Sequence, residues 1–170
     1  MMKKILLLLF SCMLLGLIPA WGQSNDSKEI SQELLTKYCW EYTGPVTLSG
    51  GMTCFVIFNG SEQIDYYVGK GKVDKIVKRY YLSDHKEEVF DESKVGKVNK
   101  GKFIVVNWNK FIDIKRTLNA VSFAPVEFSE QKLILTPETD HLDRTFPTDD
   151  YISRPLNYLD EKLKGCSPIE

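Results

Sequence analysis

Residues 52 to 68, Met52-Thr53-Cys54-Phe55-Val56-Ile57-Phe58-Asn59-Gly60-Ser61-Glu62-Gln63-Ile64-Asp65-Tyr66-Tyr67-Val68, decide the fold. An apolar, β-rich run ends at Asn59-Gly60, the strongest short hairpin signal, because both residues tolerate positive φ. The returning run from Glu62 to Val68 alternates with period two. Ile64, Tyr66 and Val68 share one face and Gln63, Asp65 and Tyr67 the other, so the more apolar set is expected to face the interior.

The same grammar extends outward in both directions. Upstream, Tyr38, Trp40 and Tyr42 alternate with Cys39, Glu41 and Thr43 until Gly44-Pro45 breaks the run. Downstream, Gly69-Lys70-Gly71 precedes a strand from Val73 to Leu82, and Ser83-Asp84-His85-Lys86 turns it. Glu87 to Phe90 reads as a short strand before an irregular stretch, Asp91 to Lys100. Further runs follow at Lys102 to Asn107, Phe111 to Leu118, Val121 to Phe128, Lys132 to Thr136 and Leu142 to Phe146. Strands every 8 to 12 residues with turn chemistry between them predict a sandwich or an up-and-down barrel.

Helical spacing is confined to the ends. Ile30, Leu34 and Leu35 line one face of a short helix over Ser27 to Lys37, with Ser27 as its N-cap. Behind Ser153-Arg154-Pro155, Leu156, Leu159 and Leu163 recur at helical intervals, and Gly165 stops the run.

Met1 to Gly22 reads as a cleavable secretory signal peptide. Lys3-Lys4 are followed by an apolar run from Ile5 to Ile18, then Ala20-Trp21-Gly22 with cleavage before Gln23. The run is shorter than the roughly 20 residues a bilayer requires. A lipoprotein signal ending at Cys12 would leave the strongly apolar Met13 to Ile18 at the start of the mature protein, and is set aside. The expected location is therefore periplasmic or extracellular. The chain then divides into residues 1–22 (signal), 23–37 (tail and short helix), 38–150 (barrel) and 151–170 (C-terminal helix and tail).

Net charge is −1 over the 170 residues, and −3 once Lys3 and Lys4 are removed. Acids and bases are interspersed, with no basic block that would mark a nucleic-acid or anionic-membrane surface. Cys39, Cys54 and Cys166 survive cleavage; an odd number leaves at least one free or paired between chains, and all three as thiols is the plain alternative. Their spacing matches no metal motif. The sequons at Asn25 and Asn59 matter only in a eukaryotic secretory pathway.

The arrangement of a short N-terminal helix, a strand bearing Trp40, a meander of hairpins and a closing helix resembles the lipocalin plan. Tyr80-Tyr81-Leu82-Ser83-Asp84, Phe90-Asp91, Val95-Gly96 and Gly101-Lys102-Phe103-Ile104-Val105 are similar to text in secreted bacterial lipocalin-like domains, over about residues 37 to 147. The glycine usual two residues before the tryptophan is Tyr38 here. The resemblance implies an all-β, antiparallel up-and-down barrel of about eight strands with short N- and C-terminal helices. It also implies a small apolar ligand, a bridge from Cys166 to Cys39 or Cys54, and Trp40 packed beneath the barrel against Arg144. Such a cation–π contact would contribute roughly 0.5 to 2 kcal/mol.

Catalytic vocabulary is sparse. His85 lies in a turn, His141 sits in Asp140-His141-Leu142-Asp143, and no Gly-x-Ser-x-Gly elbow occurs. Asp149-Asp150 and Glu87-Glu88 read as surface-loop acids. No enzyme activity, cofactor or metal is expected. Sharper are the basic residues on apolar faces, Arg116 beside Ile112, Ile114 and Leu118, and Lys78 beside Ile76 and Tyr80. A buried cation needs an anionic partner, supplied either by an apolar acid as ligand or by an internal acid. With Phe55, Tyr66, Tyr80 and Phe103 as interior aromatics, the expectation is a carrier of a small, largely apolar, even anionic ligand. The alternative is a solid-barrel envelope or surface protein whose loops bind another macromolecule.

Overall fold

A computed structural model describes residues 29–44, 51–108, 119–138 and 148–169. The barrel strands are β2 (Cys39–Tyr42), β3 (Thr53–Phe58), β4 (Glu62–Gly69), β5 (Lys72–Ser83), β7 (Phe103–Asn107), β8 (Ala120–Phe128), β9 (Lys132–Pro137) and β10 (Asp149–Arg154). Each pairs antiparallel with the next, and β10 returns to β2, with Tyr151 opposite Tyr42 and Arg154 opposite Cys39. The result is a closed, eight-stranded, all-β, lipocalin-like barrel. Closure leaves neither β2 nor β10 with an unpaired edge. Two small pairings sit outside it: β1 (Ile30–Ser31) with β6 (Lys100–Gly101), and β11 (Ser167–Pro168) parallel to the start of β5.

The deciding hairpin forms where its sequence places it. Ile57 stands opposite Ile64, Phe58 opposite Gln63, and Gly60 takes φ +95°. The Asn59 side-chain oxygen accepts the backbone N–H of Glu62 at 2.8 Å, so the asparagine closes the turn as well as bending it.

Helix α1 (Gln32–Lys37) caps one end of the barrel. It begins later than its spacing indicates: Ile30 is drawn into β1, and Ser31, not Ser27, is the N-cap, accepting from Leu34 N–H at 3.3 Å. Ser27 lies outside the described residues. Trp40 is fully buried beneath this helix, donating its indole N–H to the Leu35 carbonyl at 3.0 Å and packing edge-on to Tyr38 at 5.7 Å. Its expected partner Arg144 lies outside the described residues, as do the strands read over Phe111 to Leu118 and Leu142 to Phe146.

Two other readings are corrected. Residues Glu87 to Phe90 form no strand. They belong to a connection pinned to the barrel wall by Glu87, whose carboxylate accepts from the Tyr81 and Ser83 hydroxyls and the Lys94 ammonium, each at 2.7 Å. Asp149-Asp150 is not a loop but the start of β10, so the barrel extends to Arg154 rather than ending at residue 150.

Helix α2 (Leu156–Leu163) lies on the outer face of β2, β3 and β4. Leu159 is 3% exposed there, packed with Cys39 and Phe55, while Ile57, Tyr66, Val68 and Tyr158 complete the cluster. The Arg154 guanidinium bonds Glu41 at 2.5 Å and covers the Tyr158 ring at 5.2 Å, fixing the helix entry. Truncating Leu159→Ala should cost about 2 to 5 kcal/mol through lost transfer energy and a residual cavity. A fall in the urea midpoint checks this; a loss under about 0.5 kcal/mol would mean that the helix does not cover this face.

Candidate functional site

Because side chains alternate along each strand, fixing Phe55, Tyr66 and Val68 beneath α2 turns Cys54, Val56, Gln63, Asp65 and Tyr67 inward. This reverses the expected face of β4. Its apolar set lies on the outer side, with Tyr66 and Val68 half-buried under the helix, and its polar set lines a cavity of about 260 Å³ inside the barrel. Tyr42, Lys78, Trp108, Asp149 and Tyr151 complete the polar and aromatic lining, with Ile104, Phe123, Leu133 and Leu135 as apolar floor and wall.

An ion pair organises the polar side. Lys78 Nζ lies 2.5 Å from Asp65 Oδ2, with the two side chains only 11% and 4% exposed. The Gln63 amide donates to the other Asp65 oxygen at 2.8 Å, so both carboxylate oxygens are engaged. Lys78 also stands over the Trp108 ring, 4.1 Å from its centroid. At such depth each ion needs the other, because a lone charge in a low-dielectric interior costs several kcal/mol.

Asp149 faces the same space, and among the described residues its carboxylate makes no hydrogen bond or ion pair. Burial raises its carboxyl pKa to about 6, opposed in part by Lys78 and reinforced by the negative charge of Asp65 and Asp150. Burial likewise pushes the Cys54 thiol up to about 12, with Tyr67 hydrogen-bonded to it, and holds the Tyr151 phenol well above its ordinary value.

No family model matches this chain, and no curated protein or solved structure matches it either. What the site can do must therefore be read from its own residues.

Of the residues expected at the site, Lys78 lines the cavity. Tyr80 is interior but sits toward the α1 end, hydrogen-bonded to Gln32 and packed edge-on against Phe58 at 5.1 Å. Phe55 and Tyr66 lie outside under α2, and Phe103 lies outside against the Tyr81–Phe90 cluster, because each occupies an outward register position. Arg116 lies outside the described residues. All three cysteines are free: Cys39 is on the outer face, Cys54 on the inner face, and the Cys166 thiol contacts the Lys162 carbonyl at 3.4 Å. The expected bridge to Cys166 is therefore absent. Tyr42, Trp108 and Tyr151 are not expected at the site from sequence, which assigns Gln63, Asp65 and Tyr67 to the opposite face and reads Asp149 as a surface-loop acid. The available signal was Lys78 itself, since a lysine on an inward face demands an acid within reach.

The raised Asp149 pKa has a sign. Its folded value exceeds the ordinary 3.9 or so of an unfolded aspartate, so it stabilises the fold fully below pH 4. That contribution, on the order of 3 kcal/mol at most, is lost as pH rises through 6. Glu87 and Asp91, with lowered values, pull the other way at lower pH. The test is thus the difference between wild type and Asp149→Asn in urea unfolding. The variant should gain stability relative to wild type between pH 4 and 7; a constant difference would place Asp149 in water.

Proposed function

We propose that this protein is an exported, non-catalytic carrier or sensor that holds one small, largely apolar molecule inside its barrel. The observation that carries this reading is the 260 Å³ cavity, a space with apolar and aromatic walls and a few converging polar groups. Small-molecule sites have that character and typically run from about 300 to 1,000 Å³. This one falls just below that range, which fits a ligand of one ring or a short chain and not a fatty acid or sterol. An eight-stranded barrel can be filled entirely by side chains; here the interior spends positions on Gln63, Asp65 and Asp149 instead. The signal-peptide pattern of residues 1–22 supports action in the periplasm or outside the cell.

The expectation of an anionic ligand loses its basis at Lys78. That ammonium already has a carboxylate, so an incoming acid would compete with Asp65 rather than fill a vacancy. A neutral aromatic fragment, 2-phenylethanol, is the direct probe of the cavity. In a ¹H–¹⁵N and aromatic NMR titration the Trp108 indole and the Tyr151 ring should shift, while Trp40 beneath the barrel should not. Absence of shifts at the cavity residues with this fragment and with its ammonium and carboxylate counterparts, each at millimolar concentration, would overturn the carrier reading in favour of the solid-barrel interaction protein.

A further inference from the structure

We infer that the cavity selects a small organic cation, an ammonium on a single-ring or short apolar body, with Asp149 as its counter-ion. The inference rests on the carrier reading of the same cavity and adds the chemical class of its occupant.

The first ground is the charge balance of the lining. Two carboxylates and one ammonium face the space. Lys78 and Asp65 satisfy one another, and Gln63 takes the remaining oxygen of Asp65. The Asp149 carboxylate is left without an ion pair or hydrogen bond among the described residues, on the wall formed by β10. A half-buried carboxylate without a partner loses part of its hydration unrewarded, and a ligand cation would supply the missing charge. An anion would instead meet two acids, and a neutral molecule would leave Asp149 as it is.

The second ground is the aromatic supply. Tyr42, Tyr67, Trp108 and Tyr151 line the same cavity, with Tyr42 and Tyr151 edge-on at 5.5 Å. Ring faces attract cations, most strongly when water is excluded. The site already contains one such contact, the Lys78 ammonium over Trp108. Size agrees as well. A dry cavity of roughly 150 Å³ is known to hold benzene, so 260 Å³ admits one ring carrying a short ammonium arm.

Binding should then depend on pH. The groups facing Asp149 are Lys78 on β5, Asp65 and Tyr67 on β4, Cys54 on β3 and Tyr42 on β2, with Asp150 and Tyr151 on its own strand; β9 contributes only Leu133 and Leu135. Burial pushes the Cys54 thiol and the Tyr67 and Tyr151 phenols further above neutral pH. Asp149, raised to about 6, changes its charge just below neutral pH. A cation bound above pH 6 would be released in a more acid compartment.

Three near-isosteres decide the matter by calorimetry or NMR titration at pH 7.5: 2-phenylethylammonium, 2-phenylethanol and 3-phenylpropanoate. The ammonium should bind at least tenfold tighter than the alcohol, and the carboxylate weakest. From pH 7.5 to 5 the ammonium affinity should fall about tenfold, with the alcohol flat. In Asp149→Asn the ammonium-to-alcohol ratio should fall to near one. Equal or tighter binding of the alcohol or the carboxylate, a pH-independent ammonium affinity in wild type, or a preference retained in Asp149→Asn would each overturn the inference while leaving the carrier reading intact. Should none of the three bind, the carrier reading falls and the inference with it.

Discussion

Helix α2 covers the outer face of β3 and β4, and that cover determines what the inner face must contain. A strand offers alternate side chains to its two sides, and a shift of one position exchanges them all. With Phe55, Tyr66 and Val68 committed to Leu159 and Tyr158, the residues between them have no choice but the interior. Asp65 is then buried inside the barrel, where it is tolerable only beside a cation. Lys78, two residues before the buried Tyr80, is placed to be that cation, and its cross-strand neighbour Gln63 completes the shell around the carboxylate. Helix, face, ion pair and cavity are thus links of one chain of consequences.

The two ends of the barrel differ in kind. At the α1 end, Ile30, Leu35, Trp40 and Tyr80 are packed without exposure, and the indole N–H is satisfied by a helix carbonyl. Toward the other end the lining turns to tyrosines, acids and amide, the groups that leave room and offer hydrogen bonds. A barrel built for rigidity alone would carry the first kind of packing throughout. The change from one to the other within strands such as β2, from Trp40 to Tyr42, locates the space where a ligand would sit.

Much of this fold is legible in the sequence. The Asn59-Gly60 hairpin, the strands on either side of it, the buried Trp40 and the C-terminal leucine repeat all follow from local chemistry acting alone. What is not legible depends on tertiary context. Asp149-Asp150 carries the composition of a surface turn, and becomes a barrel strand because β2 and β9 both lack a neighbour without it. Ile64, Tyr66 and Val68 read as a core face by hydropathy; they lie on the outer side of the barrel instead, only half-buried, with Tyr66 and Val68 against the helix. Lys78 was visible as an anomaly, and the choice between ligand and internal acid needed the position of Asp65. The thiols illustrate the same limit, since Cys39 and Cys54 are on neighbouring strands yet on opposite faces of the sheet.

The central claim is that Asp65 and Lys78 meet inside the barrel, and a double-mutant cycle measures this most directly. Urea unfolding of Asp65→Asn, Lys78→Met and the double variant gives the coupling between them. If the pair is buried, each single change should cost about 3 to 5 kcal/mol by leaving an uncompensated charge, and the double variant should cost clearly less than the sum. Single losses below about 1 kcal/mol that simply add would describe an exposed pair on the outer surface. That result would contradict the inward placement of the polar face of β4, and with it the cavity built upon it.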